Sequence, residues 1–166
     1  MIFYCDLDGV LADFNKGVAQ ELGRPTSEIV GPDGRLDKTK YRPIILDNEN
    51  FWKNLPPMPG ADKLWSFLEQ FDTYVLSAYA NWDAMNSKKG KLLWCDRFGI
   101  RRNRVKLVLR SEKKHYAVSP GGPNVLIDDF AKNINEWREA GGIGILHTGA
   151  VSTIAKIRSL GLGKHK

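Results

Sequence analysis

Ile2-Phe3-Tyr4-Cys5-Asp6-Leu7-Asp8-Gly9-Val10-Leu11 decides how the rest of the chain is read. Its first four residues are apolar and rich in β-formers, the mark of a buried strand. Two carboxylates follow, separated by one apolar residue, and a glycine comes next. Both acids therefore stand where a strand ends and a loop begins, the edge at which ligands bind in an open α/β sheet. Carboxylates so close repel one another unless a shared proton or a cation relieves them. Mg²⁺ suits the position, because it takes oxygen ligands and only a few of them from protein. An Asp-x-Asp pair is common in surface loops, so its weight depends on what else reaches the same edge.

Outward from this stretch, strands and helices alternate. Leu11, Phe14, Val18 and Leu22 fall on one helical face that Gly23 and Pro25 end. Residues 24 to about 50 carry the turn cluster Gly31-Pro32-Asp33-Gly34 among charged residues, and no strong period returns before Phe51-Trp52. A structureless stretch of that length is uncommon in a compact domain, so it reads as a partly helical cap over the active edge, inserted within about 14–55 of a single 1–166 domain. Ala61, Leu64, Trp65, Leu68 and Phe71 then keep helical spacing. Thr73-Tyr74-Val75-Leu76 is a second strand that delivers Ser77. A helix from about Asp83 to Phe98 stops at Gly99, and Val105–Leu109 is a third strand. Asn124-Val125-Leu126-Ile127 is a fourth, delivering Asp128-Asp129. Ile134, Trp137 and Ala140 mark a helix before Gly141-Gly142, and Ile143–Leu146 is a fifth strand. The last helix carries Val151, Ile154, Ala155, Ile157 and Leu160 as its apolar face. This alternation predicts an α/β fold: a Rossmann-like, mostly parallel sheet with helices on both faces.

Composition narrows the class. A chain of 166 residues with 42% hydrophobic and 27% charged residues can bury one core. The longest apolar runs, about five residues, are far too short to cross a membrane as a helix. The first residues show no basic leader or cleavage site, which gives a cytoplasmic expectation. Cys5 and Cys95, the two cysteines, suggest no disulfide framework. The net charge of +6 favours an anionic ligand, a phosphate ester or a nucleic acid. Part of that excess is local, in Lys88-Lys89-Gly90-Lys91, Arg101-Arg102-Asn103-Arg104 and Lys164-His165-Lys166.

In a parallel sheet the C-terminal strand ends share one edge, so Asp6, Asp8, Ser77, Asp128 and Asp129 converge. Arg110, Lys113 and Lys114 precede the fourth strand and supply basic groups. Each has a part in phosphoryl transfer, which is largely positioning and charge stabilisation. One carboxylate can attack phosphorus. A second can protonate the leaving oxygen and then deprotonate water. A hydroxyl and an ammonium can hold the phosphoryl oxygens, and Mg²⁺ on the remaining acids can neutralise charge.

The order and spacing of these motifs resemble the haloacid dehalogenase (HAD) superfamily of phosphohydrolases, over nearly the whole chain. Phe51-Trp52-x-x-Leu55-Pro56-x-x-Pro59-Gly60-Ala61 and Leu126-Ile127-Asp128-Asp129 resemble the 5'(3')-deoxyribonucleotidases. Asn133-Ile134-x-x-Trp137-x-x-Ala140-Gly141-Gly142 is similar to their small phage and bacterial relatives. The resemblance implies Asp6 as nucleophile and Asp8 as general acid/base, with an aspartyl-phosphate intermediate. It implies Mg²⁺ on Asp6, the backbone carbonyl of Asp8, and one or both of Asp128 and Asp129. Ser77 would contact the phosphoryl group together with a lysine, Lys113 by spacing or its neighbour Lys114. Ser119-Pro120-Gly121-Gly122-Pro123 lengthens the interval from that lysine to Asp128. Lys106, inside a strand, is a poor alternative. The implied substrate is a small phosphate ester, foremost a 5'-nucleotide, with Trp82, Tyr41, Arg42 and Trp52 as substrate-contact candidates. Trp52, Trp65 and Trp137 also read as core or lid packing, Asp13 as a brace of the first loop, and His147 as structural.

Three rivals differ in testable ways. A phospho-accepting receiver places its phosphorylated Asp alone on a later strand and has no room for a cap. Loss of Asp6, Asp8 or the acidic pair would support a HAD-like protein that binds without catalysis, and all are present; absence of any turnover would favour it. A phosphatase of nucleic-acid ends would use the basic clusters, and its turnover would fall steeply with salt.

Overall fold

β1 (Phe3–Cys5) is the central strand of the computed structural model, which describes residues 1–162. Beside it lie β2 (Thr73–Ala78) and β3 (Val105–Val108) on one side, β6 (Val125–Asp128) and β7 (Ile143–Leu146) on the other. All pair in parallel, in the order β3-β2-β1-β6-β7. The chain winds outward from β1 to β3, then crosses back to β6. A topological switch point therefore lies between β1 and β6, and ligands bind in the crevice beyond such a point. Cys5 pairs with Val75 and with Ile127, so Asp6, Ser77 and Asp128 emerge at nearly one level.

Period-two alternation sends Phe3, Cys5, Val75, Val125 and Ile127 into one core and Tyr4, Leu76 and Leu126 into another. The first core is closed by α3 (Ala61–Leu68), α4 (Ala84–Phe98) and α6 (Ala150–Ser159). The second is closed by α5 (Ala131–Glu139) through Ile134 and the fully buried Trp137, whose Nε1 donates to the Asn124 carbonyl at 3.1 Å. Removing that ring would leave a cavity worth about 3–5 kcal/mol.

α1 (Phe14–Leu22) starts where Asp13 accepts a hydrogen bond from the Lys16 amide at 3.0 Å, the expected brace acting as an N-cap. Leu11 stays outside this helix, its amide turned back to the Leu7 carbonyl at 2.9 Å. Residues 24–50 hold a 3₁₀ turn at Thr26–Ile29, a Val30–Leu36 bridge around Gly31-Pro32-Asp33-Gly34, and α2 (Lys38–Leu46). Ile29, Tyr41 and Ile45 join the same core as Val18 and Phe51, which ties this partly helical segment to the body.

Two details differ from the expectation. The inward face of α6 is Ala150, Thr153 and Ile157, with Ile154 half-buried, whereas Val151 is 80% exposed and Ala155 and Leu160 also face outward. The i, i+3, i+7 stripe is thus set from Ala150, one residue earlier, because that residue packs against Gly60. The extra residues before β6 form a hairpin of β4 (Val118–Ser119) and β5 (Gly122–Pro123). The cluster Lys164-His165-Lys166 lies outside the described residues.

Candidate active site

The loop after β1 turns at once. The Leu7 amide donates to Asp6 Oδ1 at 2.8 Å, and the Gly9 amide to the Ala12 carbonyl at 2.8 Å. Gly9 has φ +82°, and a Cβ there would fall 2.1 Å from Asp129 Oδ2. Only glycine both adopts this turn and lets the loop lie against the Asp129 carboxylate.

Lys113 comes from the 3₁₀ segment Arg110–Tyr116 and is 3% exposed. Its Nζ lies 2.9 Å from Asp6 Oδ1 and 2.8 Å from Asp128 Oδ2. Asp128 also accepts from Asn133 Nδ2 at 2.9 Å and from the Phe130 amide at 2.8 Å. Arg110 donates to Asn133 Oδ1 at 3.1 Å and Glu136 Oε2 at 2.9 Å, bracing Asn133 from behind. The neighbour Lys114 is exposed, and it is Lys113 that the structure places against the acids.

Carboxylate oxygens of Asp6, Asp128 and Asp129 lie within 4.8 Å of one another. Burial, then the Asp128 charge, pushes the Asp6 carboxyl up to about 8, against the pull of Lys113. The same two causes push Asp129 up to about 6. Burial alone would lower the Lys113 ammonium, but Asp6 and Asp128 outweigh it and raise it above its ordinary value. With Asp6 and Asp129 both held above the ordinary carboxylate range beside the Asp128 charge, these three oxygen donors fit a hard divalent cation, which would relieve the repulsion.

The Asp8 carboxylate stands outside that trio. Its Oδ2 accepts from Lys91 Nζ at 2.7 Å, and the same ammonium donates to Ser77 Oγ at 2.9 Å and the Ala78 carbonyl at 2.8 Å. Lys91 is 1% exposed, with the Trp52 ring centroid 5.3 Å away. Sequence reasoning missed it, because Lys88-Lys89-Gly90-Lys91 resembles a solvated basic run. A signal was present: Ser87, Gly90, Lys91, Trp94 and Cys95 form the buried stripe of α4 at helical spacing. A Cβ on Gly90 would meet Trp52 Cβ at 2.5 Å, so this glycine lets α4 approach the Trp52–Asn54 turn closely enough to bury Lys91.

Two cavities open at this centre. One of about 390 Å³ is walled by Phe14, Tyr41, Trp52, Tyr79 and Trp82 and floored by Asp8 and Asp129. The other, about 570 Å³, holds Asp6, Ser77 and Lys113 and runs out to Arg35 and Lys38 of the 24–50 segment and to Arg110. Trp52 is fixed by a 2.7 Å hydrogen bond from Nε1 to Asp83 Oδ2. Tyr41, Trp52 and Trp82 thus reach the cavity. Arg42 does not line it; its guanidinium lies 4.9 Å over the Trp82 ring.

No protein-family model matches the sequence. A Vibrio phage KVP40 protein described as "Putative 5'(3')-deoxyribonucleotidase" is 29% identical over 137 residues, 80% of this chain and 68% of that protein. A hydrolase from Streptococcus pneumoniae TIGR4 superposes with a TM-score of 0.58 at 12% identity, covering 97% of this chain and 98% of that one. L-2-haloacid dehalogenase from Xanthobacter autotrophicus gives 0.53 at 12% identity, over 96% and 82% of the two chains. The fold is that of the haloacid dehalogenase-like hydrolases.

Within this haloacid dehalogenase-like frame the remaining expected residues fall into place as structure. Trp65 and Trp137 are buried in the cores. His147 is buried at the end of β7, its Nδ1 2.8 Å from Thr153 Oγ1. Cys5 and Cys95 are buried free thiols, raised by burial. Lys106 lies over the Tyr74 and Tyr116 rings, away from the acids. Of the basic clusters, Lys91 is turned inward, and Arg102 and Arg104 are paired with Asp96 and Asp72. No helix is long and apolar enough to cross a membrane among the described residues.

Proposed function

We propose that the chain is a Mg²⁺-dependent phosphomonoester hydrolase that acts through an aspartyl phosphate at Asp6, with nucleoside 5'-monophosphates as leading substrates. The observation that carries this reading is the pair of carboxylates Asp6 and Asp128 on one buried ammonium, Lys113, beside a third carboxylate, Asp129. Asp6, Asp128 and Asp129, with the Asp8 backbone carbonyl, would hold the cation. When bound, Mg²⁺ would offset the charge of the carboxylates and of the transferring phosphoryl group.

Asp6 attacks phosphorus, an oxygen–phosphorus bond forms, and the ester P–O bond breaks. The leaving oxygen takes a proton from Asp8, which borders the aromatic cavity where a nucleoside would lie. Asp8 then takes a proton from water, whose oxygen attacks phosphorus as the Asp6–phosphoryl bond breaks, releasing inorganic phosphate and restoring both acids. Ser77 and Lys113 hold phosphoryl oxygens during both steps. A cavity of about 390 Å³ lined by five aromatic rings suits a nucleoside. The phage relative described as a deoxyribonucleotidase supports the same substrate class.

The test is phosphate release with Mg²⁺ from 5'- and 3'-nucleotides, phosphorylated oligonucleotides and sugar phosphates, with Asp6→Asn as control. Turnover concentrated on mononucleotides and lost in Asp6→Asn is expected. Preference for oligonucleotide ends would replace the substrate assignment, and undiminished turnover by Asp6→Asn would overturn the mechanism.

A further inference from the structure

We infer that Lys91 is a positioning residue that locks Asp8 and Ser77 into one unit, aiming the Asp8 carboxylate at the leaving group and away from the cation-binding trio. The inference rests on the phosphatase reading above and adds a residue and a device to it. A buried ammonium needs acceptors for its protons, and Lys91 Nζ has three within 2.9 Å: Asp8 Oδ2, Ser77 Oγ and the Ala78 carbonyl. All three come from the ends of β1 and β2, the strands that present the attacking and phosphate-binding groups.

Stability alone does not call for such a residue. Exchanging a buried ion pair for apolar side chains of similar volume often leaves a protein as stable or more so. What an apolar residue cannot do is hold a carboxylate by one oxygen. Asp8 is gripped at Oδ2, while Oδ1 has no hydrogen-bond partner among the described residues. That Oδ1 is itself buried, while the Asp8 residue as a whole forms part of the aromatic cavity's floor. Were the Lys91 contact absent, Asp8 could swing to the cation held by Asp6, Asp128 and Asp129, because carboxylates seek such a charge. Lys91 therefore keeps two like groups in two tasks: Asp6 at phosphorus, Asp8 at the leaving oxygen.

Ser77 shares the same ammonium, so the hydroxyl on the phosphoryl group and the acid on the leaving group sit at a fixed spacing. Trp52 closes Lys91 from solvent and lines the same cavity. The nucleoside pocket wall and the lock on the acid are thus one side chain apart.

The experiment compares kcat/KM on two substrates for wild type, Lys91→Met, Lys91→Gln and Asp8→Asn. One is p-nitrophenyl phosphate, whose leaving group departs without a proton. The other is the best nucleoside 5'-monophosphate of the panel above, whose alkoxide needs one. The ratio of the two values does not depend on the fraction of enzyme correctly folded, so partial misfolding leaves the readout intact. Asp8→Asn is expected to lose roughly 10²–10⁴-fold more on the nucleotide than on the aryl ester, the usual worth of a positioned acid. Lys91→Met and Lys91→Gln are expected to shift the ratio in the same direction by at least about tenfold, and Asp8→Asn/Lys91→Met to add little to Asp8→Asn. A shifted ratio in Asp8→Asn with an unshifted ratio in both Lys91 variants would overturn the inference while leaving the mechanism standing. Loss of all activity in both Lys91 variants would overturn it too, assigning Lys91 to the fold or to phosphate binding. An unshifted ratio in Asp8→Asn would instead remove Asp8 as the acid and the inference with it, and no phosphate release by wild type would sink the phosphatase reading on which the inference stands.

Discussion

Two buried lysines hold the groups of the candidate site, and they differ in what they bind. Lys113 sits between carboxylates of Asp6 and Asp128, whereas Lys91 sits on one carboxylate, one hydroxyl and one carbonyl. The first answers a surplus of negative charge, and the same surplus calls for a cation. The second has little surplus to answer and instead fixes where groups point. A site can thus be divided into a half governed by charge and a half governed by aim, and substitutions in the halves should fail differently.

The largest effect belongs to the charge-governed half. Asp6→Asn removes the proposed nucleophile, and turnover should fall by at least about 10⁴-fold, as for other single deletions of a group that acts in a set. Lys113→Met should follow, losing on the order of 10³-fold in turnover with both p-nitrophenyl phosphate and nucleotides, because it touches the step common to all esters. Equal losses on the two substrates would sharpen the contrast with Lys91; a leaving-group preference in Lys113→Met would break it.

Acidity offers a third test of the same division. Asp6, held up to about 8, and Asp129, to about 6, keep protons in the folded state that the unfolded chain gives up near 3.8. The unfolded state then binds fewer protons over that window, so stability falls as pH rises. Without divalent cation, the midpoint of thermal unfolding should drop from about pH 4 to about pH 8, and Mg²⁺ should reduce the drop. Asp6→Asn should flatten the upper part, between about 6 and 8. A midpoint that rose through this window without metal would contradict the charge-governed reading.

Smaller effects come from the pocket wall and the surface. Trp82→Ala should raise KM for nucleotides about tenfold, within the usual worth of base stacking, and leave p-nitrophenyl phosphate nearly untouched. Arg102→Ala with Arg104→Ala should leave nucleotide turnover and its salt dependence unchanged, since both guanidinium groups are paired at the surface. A lowered salt slope on a phosphorylated oligonucleotide would revive a nucleic-acid substrate.

Much of the fold is legible in the sequence because its signals are local and repeated. Phe3–Cys5, Thr73–Ala78 and Val125–Asp128 are mostly buried runs, and each has a polar group at or beside its C-terminal end: Asp6, Ser77 and Asp128. Parallel pairing alone then gathers Asp6, Ser77 and Asp128 at one edge. Lys113 is legible as a candidate through the resemblance's spacing, and the structure shows its side chain turned inward while that of Lys114 is exposed. Lys91 was not legible, because a lysine in a basic run reads as surface and its burial depends on Gly90 meeting Trp52, a contact between distant segments. The α6 face slipped by one residue for a related reason. Val151 and Leu160 carry more apolar surface than Ala150 and Thr153, yet the close seat against Gly60 admits only a small side chain.

The most direct test of the central claim is to look for the phosphoenzyme. Wild-type protein turning over a nucleoside 5'-monophosphate with Mg²⁺ would be acid-quenched, treated with borohydride and mapped by peptide mass spectrometry. An acyl phosphate at Asp6 is reduced by borohydride, so homoserine at position 6, absent without substrate, is the predicted result. Phosphate release with position 6 left unreduced, or with the adduct on Asp8, would contradict it.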